Sequence, residues 1–210
     1  WVAYSWEASQ YNLNRTLRAA SCASIDCLLA LPAKELVAAG AFGGALDAPC
    51  RDGCAWAPTI DGVVLLGYPW DVELASGVPI LHETNLDDGQ LFVNDVATLP
   101  ADADENQFDV YMSTVYAAAG NLSGAEDLYA AATSAPPKSS YSKYYWCGDK
   151  VETDAAYACP ALRTSSAFKT AFQYQWAYND GGGEFVVHGS ELSYVFNAPG
   201  TGAVGAFMSS

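Results

Sequence analysis

The stretch Ser76-Gly77-Val78-Pro79-Ile80-Leu81-His82-Glu83-Thr84-Asn85-Leu86-Asp87-Asp88-Gly89-Gln90-Leu91-Phe92 decides the fold class. It starts apolar and turns polar. Pro79 to Thr84 suits a buried strand whose C-terminal end opens into the loop Asn85 to Gly89. In open α/β sheets, functional groups collect just past the C-terminal ends of strands. The acidic loop Asp87-Asp88-Gly89 is therefore of interest: it could orient a histidine or bind a cation, although such a loop taken alone reads as a solvated turn.

The surroundings alternate accordingly. Downstream, Asn106 to Ala119 and Ser123 to Ala132 read as helices, and Ser123 with Glu126 has capping-box spacing. Ala135-Pro136-Pro137 breaks the pattern. Asp154 to Pro160 and Ala161 to Thr170 read as helical stretches interrupted at Pro160. Phe172 to Tyr178 alternates aromatic and polar residues like a strand, Asn179 to Gly183 is a flexible loop, and Ser190 to Phe196 is a short helix after the run Phe185 to Gly189. Upstream, Ser24 to Ala39 reads as helix, with Pro32 opening a new turn. Residues 40–58 form a loop, Ile60 to Val63 a turn, and Val63 to Leu66 a short extended segment. Residues 1–21 give no assignable pattern. The order is α/β.

Composition removes several function classes. The 210 residues carry 9 Lys+Arg against 24 Asp+Glu, a net charge of −15. A chain this acidic has no general basic surface for nucleic acid or anionic lipid. With 51% hydrophobic and 16% charged residues, it is not an acidic disordered tail. No stretch approaches the roughly 20 apolar residues that span a bilayer; the candidate Ala38 to Leu46 is short and Gly-rich. The N-terminus lacks the basic start and apolar run of a signal peptide. A chain opening on Trp1 is expected to be processed or partial.

Six cysteines fall into local pairs: Cys22 with Cys27, Cys50 with Cys54, and Cys147 with Cys159. They admit many pairings, and closure of short loops favours these three. With two histidines and no paired two-residue spacing, neither a zinc site nor any other metal or cofactor is expected. Asn14-Arg15-Thr16 and Asn121-Leu122-Ser123 are glycosylation sequons. Together these features favour a secreted or lumenal, extracellular protein over the alternative, reduced cysteines in a cytosolic protein.

The candidates for chemistry are few. His188 lies between a β-branched pair and Gly189, so its ring can face a cleft, and an imidazole suits proton transfer. The same position also fits an ordinary structural histidine. His82, inside the strand, reads as a satisfied buried histidine. The acidic stretch Asp102 to Glu105 lacks EF-hand spacing and reads as a solvated face. No serine stands in G-x-S-x-G; Gly120-Asn121-Leu122-Ser123-Gly124 comes nearest and is out of register. Neither a P-loop nor G-x-G-x-x-G is present.

Six blocks in order resemble the C-terminal half of the type-B carboxylesterases, the α/β-hydrolase family of cholinesterases, carboxylesterases and fungal lipases. Cys22 through Cys27-Leu28-Leu29 to Leu36 is similar to the family's small disulfide loop and following helix. Ala57-Pro58-Thr59-Ile60-Asp61-Gly62 resembles its aP-x-x-DG turn. Ser76 to Leu81 with Thr84 to Phe92 resembles its sG-x-P-x-l-x-G-x-n-x-dEG-x-x-f stretch. Asp154, Cys159-Pro160 and Arg163 match its D…CP…R helix. Tyr174-Gln175-Trp176 is similar to its Y-x-F strand, and His188-Gly189-Ser190-Glu191-Leu192 with Tyr194-Val195-Phe196 to HG-x-E-l-x-x-vF.

The resemblance implies a fold, the C-terminal part of an α/β-hydrolase sheet with flanking helices, and a single partial domain over residues 1–210. It places the triad acid on Asp88 and the triad base on His188, with Glu191 supporting them from behind. The implied activity is hydrolysis of a small carboxylic ester. Asp88 stands where most members have Glu, and His82-Glu83 replaces an apolar-Gly pair. The nucleophile serine and the oxyanion-hole loop belong to an N-terminal half outside this sequence. The expected partner is therefore that half of the same precursor, or another subunit. The alternative is a non-catalytic esterase-like binding or structural subunit of a larger assembly.

Overall fold

A computed structural model describes residues 3–40, 58–68, 70–71, 77–94, 97–116, 122–132, 135, 138–179 and 181–196. Two compact units divide the chain, Trp1–Val72 and Glu73–Ser210. The glycosylation acceptor Asn121 lies outside the described residues.

The first unit opens with helix α1, Trp6–Ala19, in the segment whose sequence shows no pattern. Its signal is local. The Ser5 side chain accepts from the Ala8 N–H at 3.2 Å, Glu7 sits in the first turn and Arg18 in the last, which suits the helix dipole. Only Asn12 and Thr16, one turn apart, are buried on it, so an apolar stripe is missing. The Thr16 hydroxyl donates to the Asn12 carbonyl at 3.0 Å; the Asn14 sequon thus lies on a formed helix with its threonine buried. The Cys22–Cys27 disulfide is formed. Helix α2, Ile25–Leu29, is capped by Ser24, and α3, Ala33–Gly40, follows Pro32 and packs on α1. Val63 to Leu66 is not extended. Their amides wrap a carboxylate: Asp61 Oδ1 accepts from the N–H of Val63, Val64 and Leu65 at 2.9, 2.9 and 3.0 Å.

Among the described residues, the second unit holds two parallel strands, β1 (Ile80–Asn85) and β2 (Ala171–Trp176), joined by helices. Leu81 faces Phe172, Glu83 faces Tyr174 and Asn85 faces Trp176. Helix α4, Glu105–Val115, carries the capping box, Asp104 with Gln107, so the acidic stretch 102–105 serves a helix start. Helix α5, Leu122–Ala132, begins one residue before Ser123, which therefore lies inside it. Helix α6, Lys143–Thr153, runs through a π turn, Asp154–Ala158, into α7, Cys159–Ser166. Pro160 does not interrupt this run: it stands directly after the π turn, whose altered backbone pairing accommodates it at the start of α7. A short α8, Leu192–Val195, closes the described chain.

Of the three expected cysteine pairs, the one between Cys22 and Cys27 is a disulfide. The pair of Cys50 with Cys54 lies outside the described residues. The continuous run from α6 to α7 corrects the third, Cys147 with Cys159. These two lie about three turns apart, roughly 18 Å of rise, whereas a disulfide needs Cα atoms within about 4.4–6.8 Å. They are not bonded to each other: Cys147 is buried and its Sγ donates to the Tyr129 carbonyl at 3.3 Å, while Cys159 is exposed.

The core lies between α4 and α6: Phe108, Tyr111 and Met112 meet Tyr145, Trp146 and Val151, with Val93, Leu99 and Phe185. Helix α6 is buried nearly all round, so it shows no amphipathic pattern in sequence.

Candidate active site

Asp87 and Asp88 follow β1, both buried, and point to different partners. The Asp87 N–H donates to the Val186 carbonyl at 3.0 Å, and its Oδ2 accepts from the Val186 N–H at 2.7 Å. Its Oδ1 receives the Lys150 ammonium, which also donates to the Leu86 carbonyl at 2.9 Å. Asp87 thereby fixes the acidic loop both to the segment 185–188 and to α6.

Asp88 faces the other way. Its Oδ1 lies 2.8 Å from His188 Nδ1. Its Oδ2 accepts from the Asn85 backbone N–H at 2.7 Å, and Oδ1 also accepts from Asn85 Nδ2 at 3.2 Å. The same Nδ2 donates to Glu191 Oε2 at 2.7 Å. All three residues singled out in the sequence, Asp88, His188 and Glu191, thus meet in one network.

Two glycines permit this arrangement. The Gly89 N–H donates to Thr153 Oγ1 at 2.8 Å, and a Cβ on Gly89 would stand 2.3 Å from the Thr153 backbone nitrogen. The loop can lie on α6 only without a side chain there. Gly189 adopts φ +85°, a conformation that favours glycine, and turns the chain immediately after His188.

The imidazole is half-exposed, its side chain 51% accessible against 4% for Asp88. It packs beside Phe92 (ring centroids 5.6 Å) and Tyr157 (5.1 Å), whose rings also lie 5.8 Å from each other. The hydrogen bond to Asp88 holds its pKa above the ordinary 6.5, against desolvation; the charges of Asp88, Glu191 and Glu83 act in the same direction. With Nδ1 engaged by a carboxylate, Nε2 is the nitrogen left to exchange a proton with a reacting group.

Three contributors carry little signal of their own in the sequence. Asn85 reads only as part of a motif. Lys150 lies in an unassigned segment. Glu83 stands out only as a departure, and its carboxyl is pushed up to about 7, by burial first and then by Glu191 and Asp88. His82 is not satisfied as expected: its buried Nε2 has no hydrogen-bond partner among the described residues. Among those residues no group of three or more His, Cys, Asp or Glu is arranged to hold a metal, and no helix is long and apolar enough to cross a membrane.

The comparisons agree with this architecture. EstA of Aspergillus niger superposes with a TM-score of 0.66 at 18% identity, covering 95% of this chain and 41% of that one. The Geobacillus stearothermophilus carboxylesterase EST55 gives 0.64 at 23% identity, covering 93% and 39%. The chain thus spans about two-fifths of these solved structures, and its fold is that of part of an α/β-hydrolase. No curated protein matches it significantly. The model of the carboxylesterase family matches residues 7–207, and the chain belongs to that family.

Proposed function

We propose that this chain is the C-terminal portion of a secreted serine carboxylic-ester hydrolase and supplies two members of its triad. The observation that carries this reading is the 2.8 Å contact between Asp88 and His188 Nδ1. Asp88 holds the imidazole in the tautomer that leaves Nε2 as acceptor and stabilises the imidazolium once a proton arrives. His188 Nε2 takes the proton of a serine hydroxyl as that oxygen attacks the ester carbonyl, then returns it to the departing alcohol. Water repeats the sequence on the acyl-enzyme. Glu191 steadies the pair through Asn85.

The serine and the oxyanion-hole amides come from residues outside this sequence, in the N-terminal portion of the same precursor, with which residues 1–210 complete one hydrolase domain. Leu81 and Phe172, opposite each other on the strands and 68% and 61% exposed, support that partner: a parallel sheet is ordinarily covered on both faces. The disulfide supports secretion. Glycosylation belongs to the same proposal, with Asn14 and Asn121 as acceptors.

A non-catalytic esterase-like subunit is the second reading, favoured by the crowding of Glu83 against Asp88 and Glu191. The experiment is turnover of a model ester by the native protein carrying this chain, with and without His188→Ala. Loss of turnover with the fold retained is expected. Undiminished turnover rejects the catalytic role, and a companion segment without a G-x-S-x-G serine selects the second reading.

A further inference from the structure

Two buried carboxylates, Asp88 and Glu191, share a single side-chain donor group. Asn85 Nδ2 reaches Asp88 Oδ1 at 3.2 Å and Glu191 Oε2 at 2.7 Å. Turning the amide over would aim its oxygen at both anions, so the orientation is dictated by charge. The arrangement leaves Asn85 Oδ1 buried and without a partner among the described residues. A buried, unpaired amide oxygen is costly. The two charge-assisted hydrogen bonds made by the nitrogen are what offset that cost.

The consequence reaches the imidazole. Asp88 Oδ1 is the atom that both Asn85 Nδ2 and His188 Nδ1 contact. Among the described residues, the titratable groups around this pair are Glu83 on β1, Tyr174 opposite on β2, Glu191 before α8, Tyr157 of the π turn against the imidazole, and His188 itself. Lys150, on α6, is engaged by Asp87 on the other side of the loop. The positive end of the Asn85 amide is thus the neutral counterweight to two of these acids, Asp88 and Glu191.

We propose that Asn85 is a positioning residue of the acid–base pair: its amide clamps Asp88 beneath the imidazole, separates Asp88 from Glu191, and sets how readily His188 gives up its proton. This rests on the assignment of His188 as general base. Removing the clamp replaces a positive dipole end with nothing, in Asn85→Leu, or with an anion, in Asn85→Asp. Either change favours the imidazolium.

The test uses the native protein with these two variants and His188→Ala. Both Asn85 variants are expected to move the acid limb of the kcat/KM profile upward by about one unit. They should lower kcat near neutrality by about tenfold, with KM little changed. The His188 imidazole resonance, followed by NMR across pH in the isotope-labelled protein, is expected to titrate higher by the same amount. That measurement needs only one of the variants to fold. A purely structural asparagine would lower the melting temperature and leave both titrations where they were; that result overturns the proposal. If His188→Ala keeps full turnover, the general-base assignment fails instead, and the NMR titration still decides whether Asn85 tunes the imidazole.

Discussion

Asp87 and Val187 stand opposite each other in a parallel bridge, and this register brings the next residue on each side, Asp88 and His188, to 2.8 Å. Asp87 is therefore a spacer as much as a charge. Through the Val186 amide and the Lys150 ammonium it fixes the loop on two sides, so the contact between Asp88 and His188 follows from backbone register and does not rest on side-chain flexibility.

The pH dependence of turnover should carry the mark of Asp88. Its hydrogen bond raises the His188 pKa above 6.5, and a general base works only when neutral. Activity is expected to fall on the acid side with an apparent pKa above 6.5, and that limb should drop in Asp88→Asn. A limb at or below 6.5 in the unaltered protein would contradict the assignment.

Gly89→Ala should damage the site without touching a titrating group. The new Cβ would sit 2.3 Å from the Thr153 nitrogen and 2.5 Å from Glu152 Cβ. Backbone cannot yield as a side-chain tip does, so a loss of about 3 kcal/mol or more is expected. Denaturant unfolding measures it; a loss below about 1 kcal/mol would show that the loop does not lie against α6 as described.

Lys150→Met tests the spacer. The ammonium serves buried Asp87 and lies 3.4 Å from buried Asp149 Oδ2. Removing one cation from two buried carboxylates should cost about 3–5 kcal/mol at neutral pH. Protonation of Asp149, whose carboxyl burial raises, should recover part of that loss in acid. An unfolding midpoint equal to that of the parent at pH 7 would refute the arrangement.

Glu83→Gln should flatten the pH dependence of stability. Burial raises the Glu83 carboxyl from 4.5 to about 7. Between those values the folded chain holds a proton that the unfolded chain releases, so stability falls as pH rises. Asp149, raised from 3.8 to about 7 by burial, acts in the same sense. Urea melts at pH 4.5 and 7.5 should show a smaller decline in Glu83→Gln than in the parent. An identical decline would mean that Glu83 does not hold its proton in the folded chain.

The acidic loop and His188 were legible because motif order fixed both and the structure places them in contact. Helix α1 was not, since its burial rests on polar Asn12 and Thr16 and its stability on an end cap. Helix α6 escaped for the opposite reason, being buried on nearly every side. The expected bond between Cys147 and Cys159 follows from proximity in sequence, which a continuous helix turns into distance. Asn85 has no signature of its own: its importance lies in which two carboxylates its amide reaches, and one of them is over a hundred residues away.

The most direct measurement is a kinetic cycle on the native protein, comparing ester turnover in Asp88→Asn, His188→Ala and the double variant. Asp88→Asn is expected to lower kcat by about 10⁴ through loss of the correct tautomer. The double variant should be no slower than His188→Ala alone, because the two residues act as one unit. Losses that simply multiply, or an Asp88→Asn enzyme running at the parent rate, would show that this carboxylate and this imidazole do not work together.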